Sequence, residues 1–222
     1  MLGEKQIKAL TLNELLKSGR IDRNSLVVSE MNLAGKIRRV DLGVIQEGKL
    51  IAIEIKSEKD SLLRLPGQLT QYKKYFDRVI VVSAPKFINT IIESSGTEIE
   101  IWQASSEGIN RVKKGTLIKS INKHNYLELM TRREIDTLAK KLEIKIDNLA
   151  MYDLKHEVSM RLGRISKENV KKVLLEGLFR RYKLTSNRFV SRACTAGKVE
   201  ADDISLLSPF FRTPAKALLD AS

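Results

Sequence analysis

Residues 39–57 read Arg39-Val-Asp41-Leu-Gly-Val-Ile45-Gln-Glu47-Gly48-Lys-Leu50-Ile-Ala-Ile-Glu54-Ile-Lys56-Ser57. Two apolar, β-branched runs flank a short polar break containing Gly48, the pattern of a β-hairpin. A hairpin symmetric about Glu47 and Gly48 pairs Ile45 with Leu50 and, by the same count, Asp41 with Glu54. Residues opposite each other on antiparallel strands share a face, and like charges there are destabilising. Lys56 lies two residues beyond Glu54 and joins the same face. Two carboxylates and an ammonium on strands this apolar need a reason, and a divalent cation supplies one.

The surrounding chain has 222 residues, enough for one well-buried domain or two modest ones. Its 42% hydrophobic and 30% charged residues describe a globular protein. No apolar run approaches the length of a membrane span, and Glu4, Lys5 and Lys8 interrupt the N-terminus where a secretory signal would be apolar. A single cysteine, Cys194, excludes an internal disulfide framework, and two histidines leave little for a histidine-based metal site. A reducing, cytosolic setting and no membrane partner are the expectation.

The net charge of +13 points to a polyanionic partner, of which nucleic acid is the commonest. Between Arg161 and Lys198 eleven basic residues face only Glu168 and Glu176. A solvated helix usually interleaves signs for i, i+4 pairing, so this stretch reads as a phosphate-contacting surface. Lys171, Lys172, Arg180, Arg181, Lys183 and Arg188 are its candidates, with Arg39 beside the hairpin carboxylates.

Residues 4–17 have helical periodicity, broken at Ser18-Gly19. Asn24 or Ser25 opens a second short helix through Leu26, Val27 and Val28, with Glu30 near its end, and Gly35 leads into the hairpin. Pro66 starts a helix running to about Phe76; Val79 to Val82 is a buried strand. A short helix over 86–94, a strand over Glu98 to Trp102 and an edge strand over Arg111 to Leu117 follow. This succession predicts an α/β fold with a mixed sheet flanked by helices. From Tyr126 strand signals cease: helices are expected over 126–143, 147–162 and 167–183. A further short helix near Arg188 to Cys194 precedes a loose tail containing Pro209 and Pro214. The division is an α/β domain over 1–122 and a basic, all-helical domain over 123–222.

Phosphodiester hydrolysis needs a metal held by hard oxygen ligands. Asp41 and Glu54 suit that role, the backbone carbonyl of Ile55 offers a third oxygen, and Lys56 can orient the attacking water or stabilise developing charge. Asp41, thirteen residues before Glu54-Ile-Lys56, resembles the bipartite motif of the PD-(D/E)XK nuclease superfamily, with Val40 where that motif carries proline. Glu30 matches the superfamily's N-terminal glutamate, and Gln68 with Tyr72 resembles its Gln-x-x-x-Tyr helix. The run from Glu54 to Tyr72 and the segment Phe76-Asp-Arg-Val79 are similar to a small bacterial and phage-borne family with this core.

The resemblance covers about residues 25–105. It implies a restriction-endonuclease-like core, Mg²⁺ or Mn²⁺ as cofactor, and a homodimer by analogy. It also implies nuclease chemistry, with Glu30 as a further ligand and Gln68 holding Lys56 or the scissile phosphate; no substrate follows from it, and DNA is expected ahead of RNA. Tyr72 lies on an apolar stripe and reads as core. The competing reading is a non-catalytic nucleic-acid-binding accessory protein on a nuclease scaffold.

Overall fold

Six strands form one mixed sheet whose spatial order follows the chain. They are β1 (Leu26–Asn32), β2 (Arg39–Gln46), β3 (Lys49–Lys56), β4 (Arg78–Ser83), β5 (Ile99–Ser105) and β6 (Gly108–Lys113). The computed structural model describes residues 2–33 and 39–211; Gly35 and Pro214 lie outside them. β1 pairs antiparallel with β2, β2 with β3 and β5 with β6, whereas β3/β4 and β4/β5 are parallel. The parallel pairs need crossovers, supplied by α2 (Leu65–Tyr72) and by α3 (Ile88–Ser94).

The hairpin register is the expected one, with Ile45 opposite Leu50. Its turn places Glu47 at φ 48° and Gly48 at φ 71°, the two positive values of a type I′ turn, whose twist matches that of the strands.

The expected helix over residues 24–30 is instead β1, which adds a strand to the sheet. Leu26 and Val28 pack on one face of the sheet and Val27 on the other. A strand covered on both faces shows a continuous apolar run rather than alternation, and so short a run does not by its period distinguish strand from helix.

Helices cover both faces. On one lie α1 (Glu4–Lys17), the second half of α7 (Lys167–Ala196) and a final 3₁₀ segment, Ala201–Leu207. On the other lie α2, α3, α4 (Lys123–Tyr126), α5 (Arg132–Lys141), α6 (Met151–Arg161) and the first half of α7. The helical segment after residue 122 is therefore packed on the sheet: Tyr126, Leu138, Leu154 and Leu174 share one hydrophobic cluster with Val79 and Ile101.

α7 runs unbroken for 30 residues, where two shorter helices were expected. The Thr185-Ser186-Asn187 stretch is a weak helix former, but propensity is a small term beside burial. Phe189, Val190 and Ala193 are buried against the sheet. Ser186 is fully buried and its Oγ accepts from the backbone N–H of Val27 at 2.8 Å. The helix thus supplies a partner at the β1 edge, which would otherwise offer free donors to other chains.

Gly177, in the middle of α7, faces the side chain of Glu134, and a methyl group there would collide with it. Gly→Ala inside a helix ordinarily gains ~1 kcal/mol. Here Gly177→Ala is expected to lower the melting temperature, because the Glu134 carboxylate is fixed by its partners; a thermal melt of the variant checks this.

Candidate active site

Glu54 and Lys56 stand at the C-terminal end of β3 on the face covered by α2, and only 1% and 4% of their surfaces remain exposed. Buried charges persist only when paired and hydrogen-bonded, and these are. Lys56 Nζ donates to Glu54 Oε1 at 2.6 Å and to Gln68 Oε1 at 3.1 Å. Gln68 Nε2 donates to Glu54 Oε1 at 2.5 Å, and the Tyr72 hydroxyl to Glu54 Oε2 at 2.5 Å. Gln68 and Tyr72 are one helical turn apart on α2, so both reach the same carboxylate. Tyr72 is core by its ring and site by its hydroxyl; burial and the adjacent Glu54 push its pKa far above the usual phenol range.

The β2/β3 ladder ends at Leu42 opposite Ile53. One step further the strands part, and Asp41 Oδ2 accepts from the backbone N–H of Ile55 at 2.7 Å. Burial, then the charge on Glu54, raise the pKa of Asp41 to about 7, although the Ile55 bond acts against the rise. The Lys8 charge also acts against the rise, but together these do not offset burial and the Glu54 charge.

Glu30 falls opposite Asp41 by count, since the register steps from Ser29/Leu42 to Met31/Val40. It has φ 55°, a left-handed conformation uncommon outside glycine and costly by about 1 kcal/mol or more. The result is visible in the packing: Leu26, Val28, Met31 and Leu33 all join the same cluster, which strict alternation would forbid. Glu30 sits on a strand, not on the helix expected for it.

The kink brings Glu30 to α1. Lys8 Nζ, on a residue 4% exposed, lies 2.7 Å from Glu30 Oε1 and 2.8 Å from Glu4 Oε1, with Ser29 Oγ at 3.4 Å. Burial pulls the Lys8 pKa down, but its contacts with Glu30 and Glu4 outweigh this and leave it raised. One carboxylate oxygen from each of Glu4, Glu30 and Asp41 lies within 4.8 Å of the others. These are hard oxygen donors of the kind Mg²⁺ and Mn²⁺ take, so the side chains fit such an ion. Of the expected ligands, Asp41 and Glu30 come together with Glu4, while Glu54 serves Lys56, Gln68 and Tyr72 next to them. A cavity of about 650 Å³ unites the two sets; Ile55, Arg39 and Arg64 also line it.

Glu4 and Lys8 were not among the sequence candidates. Their only local signal is an i, i+4 pair of opposite charge, which says nothing about strands more than twenty residues away.

The basic candidates divide. Lys171 Nζ reaches Asp77 Oδ2 at 2.7 Å, and the same oxygen accepts from Leu50 N–H at 2.7 Å. Arg180 and Arg181 both bind Glu134, the latter at 2.6 Å. Arg188 donates to the Ser208 carbonyl at 3.2 Å and lies over the Phe211 ring at 5.4 Å. Lys172 and Lys183 are exposed and have no ion-pair partner among the described residues. The Arg39 side chain is 61% exposed at the cavity rim, 3.7 Å from Glu30.

A family model described as Bacteriophage P4 protein cII matches residues 1–208. The chain belongs to the bacteriophage P4 cII family. Protein cII of Enterobacteria phage P4 is 30% identical over 212 residues, which span 94% of this chain and 78% of that protein. The span matched to the cII family takes in the acidic cluster and all of α7. Two solved structures have some likeness. SPO1766, a protein of unknown function from Silicibacter pomeroyi, is 17% identical, with a TM-score of 0.41 over 56% of this chain and 79% of that one. The protein of unknown function AF1548 is 12% identical, with a TM-score of 0.30 over 80% and 98%. No helix among the described residues is long and apolar enough to cross a membrane.

Proposed function

We propose that this chain is a divalent-metal-dependent nuclease that hydrolyses phosphodiester bonds, with DNA the favoured substrate. One observation carries the reading. Three carboxylates, Glu4, Glu30 and Asp41, converge in a cavity that also holds the buried and fully oriented Lys56.

Glu4, Glu30 and Asp41 would hold the ion, and Mg²⁺ or Mn²⁺ there supplies polarisation of the phosphate and acidification of a water molecule. Lys56 keeps its ammonium at the cavity wall, where negative charge on a phosphate oxygen is stabilised in the transition state. Gln68 and Glu54 fix its position, and Tyr72 fixes Glu54, so no reorganisation is needed when the charge develops. Arg39 and Arg64 at the rim suit neighbouring phosphates.

The test is a panel of end-labelled single- and double-stranded DNA and RNA, incubated with Mg²⁺, Mn²⁺ or EDTA. Cleavage with either metal and none in EDTA is expected. The second reading, a non-catalytic nucleic-acid-binding protein, has one observation in its favour: Lys56, Gln68 and Tyr72 already satisfy Glu54 by themselves. Salt-sensitive binding without cleavage under either metal would establish it instead.

Binding and stability also separate at the basic face. Lys172→Ala combined with Lys183→Ala is expected to weaken duplex binding and reduce the slope of log K against log salt by about 2. The melting temperature should stay unchanged, because neither side chain pairs within the described residues.

A further inference from the structure

We propose that Lys8 is the resident cation of the acidic cluster, holding it together without metal and giving way when a divalent ion binds. The inference rests on reading Glu4, Glu30 and Asp41 as the metal-holding set. Three carboxylates with oxygens within 4.8 Å of one another repel strongly in a partly buried cavity. Arg39 opposes it weakly from the exposed rim, 3.7 Å from Glu30, and the buried cation that opposes it is on α1. Lys8 Nζ contacts Glu30 Oε1 and Glu4 Oε1 at 2.7 and 2.8 Å, and its side chain is 5% exposed.

The position differs from that of Lys56. Lys56 is bound by Glu54 and Gln68, neither of which belongs to the three-carboxylate set. Lys8 is bound by two members of that set, so its charge and an incoming ion compete for the same carboxylates. It reaches them from a helix anchored by the buried Ile7, Leu12 and Leu15, and the kink at Glu30 turns that carboxylate toward it. α1 thereby acts as a positioning element for the site. Lys8 sets how much cation is needed to occupy the site, and a hydrogen-bonding side chain without charge could not take its place.

Mn²⁺ alone is the probe, titrated into the full chain by calorimetry and followed by electron paramagnetic resonance. Lys8→Gln and Lys8→Met are expected to bind Mn²⁺ about tenfold or more tightly than wild type, with a lower melting temperature in EDTA that Mn²⁺ restores. Lys8→Arg keeps the charge and should stay near the wild-type affinity.

Unchanged or weaker Mn²⁺ binding by Lys8→Gln overturns the inference; if the wild type still cleaves with Mn²⁺, the nuclease reading survives. No Mn²⁺ binding by wild type or variant overturns both. A measurement on the wild type covers the case in which Lys8→Gln and Lys8→Met fail to fold. The Lys8 ammonium signal in ¹⁵N-lysine spectra, assigned by its loss in Lys8→Arg, should move when Mg²⁺ is added. An unmoved signal under saturating Mg²⁺ overturns the inference.

Discussion

If the chain is the nuclease proposed above, Asp41→Ala and Lys56→Ala are each expected to lower metal-dependent cleavage by about 10²–10³-fold, the scale on which a single preorganised group acts in a water-poor site. The two should fail differently. Asp41 is one of three converging carboxylates, so its loss raises the metal concentration at which the remaining activity saturates. Lys56 touches none of that set and is held by Glu54 and Gln68. Its loss therefore lowers turnover at saturating metal and leaves metal affinity almost unchanged. Lys56→Arg should not rescue, because a planar guanidinium cannot occupy a point bounded by Glu54 Oε1 and Gln68 Oε1. Removing Lys56 also leaves a buried carboxylate short of a cation, a change that costs about 3–5 kcal/mol where such pairs have been broken. Circular dichroism must accordingly show that the assayed protein is folded. Wild-type rates in both variants would take these residues out of the chemistry.

Glu134→Ala is expected to destabilise the fold strongly, by about 3–5 kcal/mol. Glu134 is 2% exposed and accepts from the Thr131 backbone N–H at 2.8 Å and the Thr131 hydroxyl at 2.7 Å, closing the N-terminal capping box of α5. It also binds Arg180 and Arg181 of α7. Removing it leaves two guanidinium groups without their counter-ion and frees the start of α5.

The pH dependence follows in sign. Burial alone would raise the Glu134 pKa, but the Thr131 and arginine contacts outweigh it and hold the group below the usual carboxylate value. A depressed folded-state pKa means stability that is present above the unfolded pKa and disappears as pH falls through the folded one. Denaturant titrations of wild type and Glu134→Gln should differ clearly at pH 7 and converge under strongly acidic conditions. An equal gap at both pH values would show that Glu134 acts through shape and not charge.

The same contacts change what the arginines mean. Read along the chain, Arg180-Arg181 is a basic pair with only Glu176, one turn before Arg180, to oppose it. The neutralising group is Glu134, more than forty residues earlier and on another helix. Lys171 is matched in the same way by Asp77, 94 residues away. A charge cluster in sequence is a surface cluster only if folding brings no opposite charge to it.

Leu26 to Val28 looked helical because the sheet is buried on both faces and its strand lost the alternation that marks a half-buried one. α7 looked broken because the residues that continue it past Tyr182 are held by packing against β1 and not by propensity.

What the sequence determined by itself is local in range. The hairpin register follows from the two-residue turn at Glu47-Gly48, the Glu54/Lys56 contact from the two-residue period of a strand, and the Gln68/Tyr72 pair from the pitch of a helix. Each depends on residues within one turn or one strand of each other, where backbone geometry leaves few alternatives. Only the tertiary structure decided which carboxylates meet. The cluster joins α1, the kinked residue of β1 and the splayed end of β2, and its internal ammonium comes from Lys8. Those neighbours are set by how helices pack on a sheet with two buried faces, a long-range result that no periodicity within a segment records.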